Sequence, residues 1–292
     1  AMMTELYPDE IGQLDEKQKQ TRQLLDSALS LTVKAERKSD HYAIAVEVSN
    51  NTGHKLPTGY PEGRRIWINV RFFDAAMTLV GESGAYDAGT GVLSHDAEVK
   101  IYEVKPGLDE VTAPLVGVEP GPSFHFVLNN AVFKDNRIPP RGFTNAAYAD
   151  FGGAPVDYAY ADGQYWDETA YTIPGSSTRL EVTLRYQTTS KEYVEFLRDE
   201  NTTNTKGQEL YDLWNNNGKC PPEIMAQATV SLLLGDYNGD GWIDFDIDVV
   251  VPPADTTVEI IISLVMRKTS KRECLQHTLP KCHIDNPAQR PR

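Results

Sequence analysis

The clearest signal of the fold class is the run Arg179-Leu-Glu-Val-Thr-Leu-Arg-Tyr186. Apolar side chains occupy every second position of it, and charged or hydroxyl side chains occupy the positions between. The apolar members are Leu180, Val182, Leu184 and Tyr186. Successive side chains of a strand point to opposite faces of a sheet, so this alternation predicts a strand with one buried and one solvated face. Residues 42–48 and 66–72 repeat the pattern, which favours mainly antiparallel sheets.

Turn-forming residues separate the predicted strands. The chain has 21 Gly and 18 Pro, and they cluster in segments such as 55–59, 119–122 and 138–142. Short strands joined by such turns predict an all-β fold, a mainly antiparallel β-sandwich of the immunoglobulin-like or jelly-roll type. Apolar residues in 99–101 and 124–128 predict further strands.

Helical spacing occurs in three places. Residues 13–28 carry a narrow apolar stripe among charged residues, which predicts a solvent-facing N-terminal helix. Thr189 and Glu192 have the spacing of a capping box before a short helix. Residues 208–214 predict a second short helix, after which 228–234 is expected to be a strand.

The predicted organisation has four parts. Residues 1–28 form an N-terminal helix or linker, and residues 29–234 form the β-sandwich domain. Within it, the interval 134–173 is rich in Tyr, Asp, Gly and Ala and too long for a hairpin loop, so it is predicted to be an ordered surface excursion. Residues 235–266 are expected to hold a calcium-loop-like segment and a strand, followed by a tail over 267–292.

Composition and charge narrow the class of protein. Of the 292 residues, 40% are hydrophobic, which is enough for a packed core. Acidic residues outnumber basic ones by 42 to 28, and the formal charge of −14 disfavours nucleic acid as a partner. No apolar run approaches the roughly 20 residues of a transmembrane helix, and residues 1–8 lack signal-peptide features. Cys220, Cys274 and Cys282 allow one disulfide and one free thiol.

Residues 235–248 have the oxygen spacing of an EF-hand-type calcium loop. The candidate calcium ligands are Asp236, Asn238, Asp240, the Trp242 carbonyl, Asp244, Asp246 and Asp248. The twelfth position, which should hold a carboxylate, is Ile247. Asp246 would close the site if the loop contracts, and Asp248 if it bulges. The alternative is an acidic, solvated turn without an ion.

The same stretch resembles the dockerin-type calcium repeat of secreted bacterial proteins, whose usual ending has one more Asp. The resemblance implies calcium at Asp236, Asn238, Asp240 and Asp244. A dockerin carries two repeats, and no second one follows here. Binding to a cohesin is therefore not expected.

Five side chains are candidates for other ligands. His54, His95 and His125 lie in loop or strand-edge motifs, and neutral imidazole binds haem iron, copper and zinc. A hydrogen-bonded structural role is the alternative for each. Arg64 and Arg65 directly precede a predicted strand. Their guanidinium groups are candidate bidentate partners for a propionate or another carboxylate, or they cap a sheet edge.

Several motifs between residues 30 and 225 share a family resemblance. They are 50–69, with its Gly-His-Lys-Leu-Pro-Thr-Gly run, and 83–87, 124–129, 160–167 and 187–197. Together they resemble the non-haem β-domain at the C-terminal end of certain multihaem c-type cytochromes. The resemblance implies an extracytoplasmic sandwich that packs on a haem-bearing domain or subunit, with His54 as a candidate distal haem ligand. Cys-x-x-Cys-His is missing from the sequence, so no covalently bound haem is expected on this chain.

The predicted function is a non-catalytic, periplasmic, cell-surface or secreted module of multihaem electron transfer, with a structural or docking role. One alternative is a calcium-dependent extracellular module that binds sugar or protein. Another is a copper or zinc protein that uses His54, His95 and His125. No hydrolase elbow, phosphate loop, dinucleotide fingerprint or zinc-protease motif occurs, so an enzyme is not expected. Tyrosines and Trp166 of the excursion are expected to form a small core, with sugar stacking as the alternative.

Overall fold

The computed structural model describes residues 10–232, which all belong to one compact unit. The strands are β1 Leu29–Arg37, β2 His41–Asn50, β3 Arg65–Phe73, β4 Leu79–Ser83, β5 Tyr86–Asp87, β6 Val92–Leu93, β7 Ile101–Tyr102, β8 Val104–Leu108, β9 Gly121–Pro122, β10 Ala131–Asp135, β11 Trp166–Pro174, β12 Arg179–Gln187 and β13 Glu223–Ser231. The helices are α1 Ile11–Ser27, α2 Asn145–Asp150, α3 Lys191–Asp199 and α4 Lys206–Asn216, with a 3-10 turn at Ala113–Val116.

Two antiparallel sheets form the sandwich. The strand order is β1-β2-β11 in the first sheet and β13-β12-β3-β4 in the second, where β7 also pairs with β3. Pairs of valines face each other across neighbouring strands and define the register. They are Val33 with Val46 in the first sheet and Val70 with Val182 in the second. Both sheets contribute to a single hydrophobic core, which confirms the predicted mainly antiparallel all-β fold.

Alternation along the strands builds this core. Every second residue of β2 from Tyr42 onward is buried, and Leu180, Val182 and Leu184 of β12 have no exposed surface. Burying each such side chain stabilises the fold by about 1.5–3 kcal/mol. The β3 strand is buried on both faces, because Trp67 forms a second, smaller cluster with its neighbours on the side away from the main core.

The helices lie on the outside of the sandwich. No residue of α1 is buried, as predicted for a solvent-facing helix, and Arg22 pairs with Glu223 at 3.1 Å. The predicted capping box before α3 is wrong, because Ser190 rather than Thr189 is the N-cap and accepts from the Tyr193 amide. The second short helix is confirmed and is longer than expected, at Lys206–Asn216.

Two expectations about the middle of the chain need correction. Residues 166–173 of the expected surface excursion belong to β11, an edge strand of the first sheet. Ile138, Phe143 and Tyr160 from the same interval are buried, so much of it belongs inside the molecule. Residues 124–128 do not form a strand. They make a tight turn in which the Leu128 amide donates to the His125 carbonyl at 2.8 Å.

A small sheet of β8, β9 and β10 carries this turn. Across residues 10–232, no helix has both the length and the apolar character needed to cross a membrane. The predicted calcium loop at 235–248, the expected end of the last strand beyond 232 and the tail at 267–292 lie outside the described residues.

Candidate functional site

Six rings from three separate parts of the chain form one surface, which we call the aromatic face. Its members are Tyr60, Phe124, His125, Phe126, Tyr193 and Phe196. They come from the loop before β3, the turn after β9 and helix α3. Residues more than 60 positions apart in sequence therefore meet at one place on the surface.

The rings of the aromatic face hold one another in place. Tyr60 lies 5.4 Å from Phe126, centroid to centroid, and its hydroxyl is 2.7 Å from that of Tyr193. Phe196 is stacked on Tyr193 at 6.5 Å and receives the edge of His125 at 4.8 Å. Such pairs add about 0.5–1.5 kcal/mol each beyond simple area burial. The face is thus ordered before any partner binds.

Part of the aromatic face is in water. Phe126 is 56% exposed, and the next residue, Val127, is 90% exposed. Leu128 and Tyr60 are also exposed. Single exposed apolar residues are common on proteins, but an ordered group of large ones is typical of a binding surface. Phe124, Phe126 and Leu128 alternate in the sequence because the turn places apolar side chains on this surface, and not because they form a strand.

A cleft of about 290 Å³ lies next to the aromatic face, and Phe124 lines it. Arg64, Arg65 and Lys105 supply positive charge to its wall, and carboxylates supply negative charge. Apolar side chains fill most of the rest. They are Pro61, Val104, Pro106, Pro122 and Phe124. The aromatic face and the arginine-lined cleft are therefore contiguous.

Arg65 is the most buried cation of the cleft, with 5% of its surface exposed. Its Nε donates to the Gln187 side-chain oxygen at 3.0 Å, and its Nη1 lies 3.5 Å from a Glu192 oxygen. Its Nη2 is buried without a hydrogen-bond partner among residues 10–232. A buried donor that lacks an acceptor costs about 1–3 kcal/mol or more. The Arg65 guanidinium also lies over the Trp67 ring, with 5.7 Å between its Cζ and the ring centroid, so the protein itself encloses this cation.

Arg64 is held at the mouth of the cleft by the turn that precedes it. Its Nη1 donates to the Thr58 carbonyl at 2.6 Å, while its Nε has no partner among the described residues. Gly59 adopts φ +83°, and a Cβ at this position would collide with the Arg64 guanidinium. The Thr58-Gly59 sequence therefore makes the approach of this arginine sterically feasible.

Three carboxylates share the cleft, and two of them are paired. Glu103 accepts from Lys134 at 2.9 Å and pairs with Lys105 at 3.3 Å, and Glu192 faces Arg65. Glu62 is buried and one of its oxygens has no partner in the described chain. Burial raises the pKa of Glu62 above its ordinary value, because the charged form loses its hydration.

The three candidate histidines occupy different environments. His95 is exposed and lines the cleft, and His125 belongs to the aromatic face. His54 is exposed on the loop between β2 and β3 and is not among the residues that line the cleft. Within residues 10–232, no three or more His, Cys, Asp or Glu side chains are grouped so that they could hold a metal ion.

A buried ion cluster fixes the His54 loop. Lys55 Nζ lies 2.7 Å from Asp135, and Arg137 donates to both oxygens of the same carboxylate at 2.8 Å. Lys55 and Asp135 are 8% and 4% exposed. Burial alone would raise the pKa of Asp135, but the hydrogen bonds and charges of Arg137 and Lys55 outweigh it and hold that pKa below its ordinary value.

A second polar cluster lies where the excursion joins the first sheet. The buried Asp167 carboxylate accepts from the Tyr102 hydroxyl at 2.9 Å and from the Tyr158 hydroxyl, and Lys100 Nζ lies 2.9 Å away. Tyr160 and Tyr171 are buried nearby in the sandwich. The expected separate small core of tyrosines and Trp166 is wrong, because Tyr171 belongs to the main core and Trp166 is 38% exposed.

Only part of this site could be predicted from the sequence. Arg64, Arg65 and His95 come together at the cleft, and His54 does not join them. Tyr60, Tyr193 and Phe196 were not recognised, because no local pattern links a loop, a turn and a helix. The Phe-His-Phe-Val-Leu run at 124–128, with more apolar surface than a turn needs, was the available signal.

No family model matches the chain, and no curated protein matches it. A weak similarity links it to a solved structure, the crystal structure of a penta-heme cytochrome c552 from Thermochromatium tepidum. The sequence identity is 15% and the TM-score is 0.43. The alignment covers 72% of this chain and 41% of that chain, so the chain spans less than half the length of that cytochrome.

Proposed function

We propose that the chain is a non-catalytic, extracytoplasmic β-sandwich module that docks through its aromatic face on the haem-bearing domain or subunit of a multihaem cytochrome. The observation that carries the proposal is that an ordered, partly exposed aromatic surface adjoins a cleft lined by Arg64, Arg65 and Lys105. Its role is to hold or position the haem-bearing part in an electron-transfer protein.

The energetics of the aromatic face suit a docking surface. Fully burying side chains such as Phe126 and Val127 contributes about 1.5–3 kcal/mol each. They are 56% and 90% exposed before binding, so most of that free energy is available to a partner. Tyr60 packs against Phe126 and is itself held by Tyr193. Because these rings are already in place, little side-chain entropy is lost when the face is covered.

The chemistry of the two surfaces favours a haem-bearing partner. A haem edge is a flat apolar group that carries carboxylates. The aromatic face supplies exposed apolar rings, and Arg64, Arg65 and Lys105 line the cleft beside it. The motifs over residues 30–225 resemble the non-haem domain of such cytochromes. In this arrangement His54, exposed on its loop, remains a candidate distal ligand to a partner's haem iron.

Binding to purified cytochromes tests the proposal. The multihaem c-type cytochromes of the source organism are purified, identified by haem staining, and titrated onto the immobilised chain. At least one should bind saturably, and the double variant Phe126→Ser, Val127→Ser should weaken its affinity tenfold or more, by the loss of about 1.4 kcal/mol or more of binding free energy.

A matched control uses apolar residues outside the aromatic face. Val111 and Leu115 lie in the segment between β8 and β9 and are 74% and 81% exposed. The double variant Val111→Ser, Leu115→Ser should bind as the wild type does. The proposal fails if none of the cytochromes binds, or if both double variants weaken binding equally.

A further inference from the structure

We propose that the loop between β8 and β9 is a second docking surface, for a polypeptide partner whose contact surface combines apolar side chains with lysine or arginine. The loop comprises residues 109–120, and we call its side chains Val111, Leu115 and Val116 the loop patch. The proposal goes beyond the proposed function, because the loop patch lies outside the aromatic face and its partner is distinct from the haem-bearing one.

The loop patch holds large apolar side chains in water. Val111 and Leu115 are 74% and 81% exposed, and Val116 is 42% exposed. All three lie within residues 111–116, on one short piece of chain. Single exposed apolar residues are common, but a group of them on one loop is typical of an interaction site, because covering it removes apolar surface from water.

Hydrogen bonds fix the shape of the loop before any partner binds. The Asp109 carboxylate accepts from the backbone amides of Val111 at 3.1 Å and Thr112 at 2.7 Å. The side chain of Asn130 donates to the Thr112 hydroxyl at 2.7 Å and accepts from the Asp109 amide at 3.1 Å. Ala113, which has no exposed surface, begins the 3-10 turn that carries the rest of the loop patch. An ordered loop that turns apolar side chains outward is typical of a binding loop.

The charged residues of this part of the chain are all acidic. Residues 106–133 contain Asp109, Glu110 and Glu119 and no lysine or arginine. Glu110 and Glu119 are exposed, and neither belongs to an ion pair between residues 10 and 232. Complementary charges favour association and like charges oppose it. The acidic residues beside the loop patch therefore favour a partner that carries cations next to its apolar side chains.

The same charges disfavour two other occupants of the loop patch. A second copy of the chain would bring the same carboxylates against these, and the surface of an anionic membrane would also repel them. The formal charge of −14 on the whole chain adds to both effects. A polypeptide with apolar side chains between lysines or arginines satisfies both the exposed apolar surface and the acidic residues around it.

Three peptides of equal length separate apolar contact from charge. They are acetyl-Lys-Leu-Lys-Leu-Lys-Leu-Lys-amide, the same peptide with Ser in place of Leu, and the same peptide with Glu in place of Lys. Each is titrated into the full, isotope-labelled chain, and the NMR shifts of the backbone amides report binding residue by residue. The Lys-Leu peptide should bind about tenfold or more tightly than either of the others, and it should shift the amides of residues 109–120 most.

Two matched double variants locate the apolar contact. Val111→Ser, Leu115→Ser should lower the affinity for the Lys-Leu peptide to that for the Lys-Ser peptide, a loss of about tenfold or more. Phe126→Ser, Val127→Ser removes side chains that are 56% and 90% exposed on or next to the aromatic face, and it should leave this affinity unchanged. Circular dichroism checks that each variant is folded.

A second pair of variants tests the charges. Glu110→Gln, Glu119→Gln should weaken binding of the Lys-Leu peptide about threefold and make it less sensitive to salt, because exposed charge pairs are weak and are screened by ions. Glu168→Gln, Glu200→Gln is the control, since it removes two exposed carboxylates from other parts of the chain. This control should bind the peptide as the wild type does.

Each outcome decides one point. Equal affinity for the Lys-Leu and Lys-Ser peptides, or equal loss in the two Ser double variants, overturns the loop patch as a docking surface. Tighter binding of the Glu-Leu peptide overturns the basic partner. If Val111→Ser, Leu115→Ser also weakens binding of the multihaem cytochrome, the loop patch belongs to that interface and the separate partner is wrong. Docking through the aromatic face is measured with the cytochrome and does not depend on the peptide results.

Discussion

Replacing Asp135 by Asn should destabilise the fold more than any exposed carboxylate does. The Asp135 side chain is 5% exposed and holds two cations, Lys55 and Arg137, at 2.7–2.8 Å. The amide is close in size but neutral, so the buried Lys55 ammonium loses its counter-charge. Breaking a buried pair by removing one partner costs about 3–5 kcal/mol. A domain of this size loses about 2–4 °C of melting temperature per kcal/mol, which gives a loss of about 6–20 °C.

A matched variant tests whether burial of the ion pair is the reason for this loss of stability. Asp199 is held by Arg198 through two hydrogen bonds of 2.7 and 3.0 Å, much as Asp135 is held by Arg137, but its side chain is 59% exposed. Asp199→Asn should melt close to the wild type, because water replaces the lost pair. Calorimetric melting of both variants is the assay. Equal shifts in the two variants would refute the argument from burial.

Acid titration adds a second signature of the same cluster. The pKa of Asp135 is lower in the folded chain than its ordinary value, and the ordinary value for Asp is about 3.9. The stabilisation is therefore fully present above about pH 4 and is lost as the pH falls through the lower, folded pKa. Asp135→Asn should remove this part of the acid dependence, and an unchanged acid profile would contradict it.

Three further predictions concern the core, the calcium loop and His54. Val182→Asp buries an unpaired charge at a position with no exposed surface and should cost several kcal/mol, whereas Thr183→Asp on the opposite face should cost far less in urea unfolding. Excess calcium should raise the melting temperature, because a hundredfold excess over the dissociation constant adds about 2.7 kcal/mol to the free energy of unfolding. Replacing Asp236 and Asp240 together with Ala should abolish this rise. Identical melting curves in calcium and in chelator would favour the acidic turn without an ion. His54→Ala should shift the Soret band of a bound cytochrome without changing the melting temperature of the chain, and an unchanged spectrum would leave His54 only a structural role.

The strands of the main core were predictable because their burial alternates with hydrophobicity. In β12 the buried positions are Leu180, Val182 and Leu184, so the sequence carries the pattern directly. In β11 the buried positions include Asp167 beside Tyr171 and Ile173. A buried carboxylate breaks the apolar rhythm, and its stability depends on Tyr102 and Tyr158, which are distant in sequence. This is why β11 was assigned to a surface excursion.

The site was predictable only where its residues are local. Arg64 and Arg65 are adjacent and precede a clear strand, so a carboxylate partner could be expected for them. The aromatic face joins Tyr60, Phe126 and Tyr193 through tertiary packing. No periodicity or residue spacing in a single sequence predicts such contacts between distant segments. The alternating turn at 124–128 was assigned as a strand for a related reason, since apolar residues that form a binding surface resemble those that form a core.

Hydrogen exchange on the chain, alone and mixed with a multihaem cytochrome purified from the source organism, tests docking through the aromatic face most directly. We expect the bound cytochrome to slow exchange of the backbone amides in residues 124–128 and in helix α3, because these segments carry Phe126 and Tyr193. Unchanged exchange in these two segments, with the cytochrome bound and protection located elsewhere on the sandwich, would contradict it.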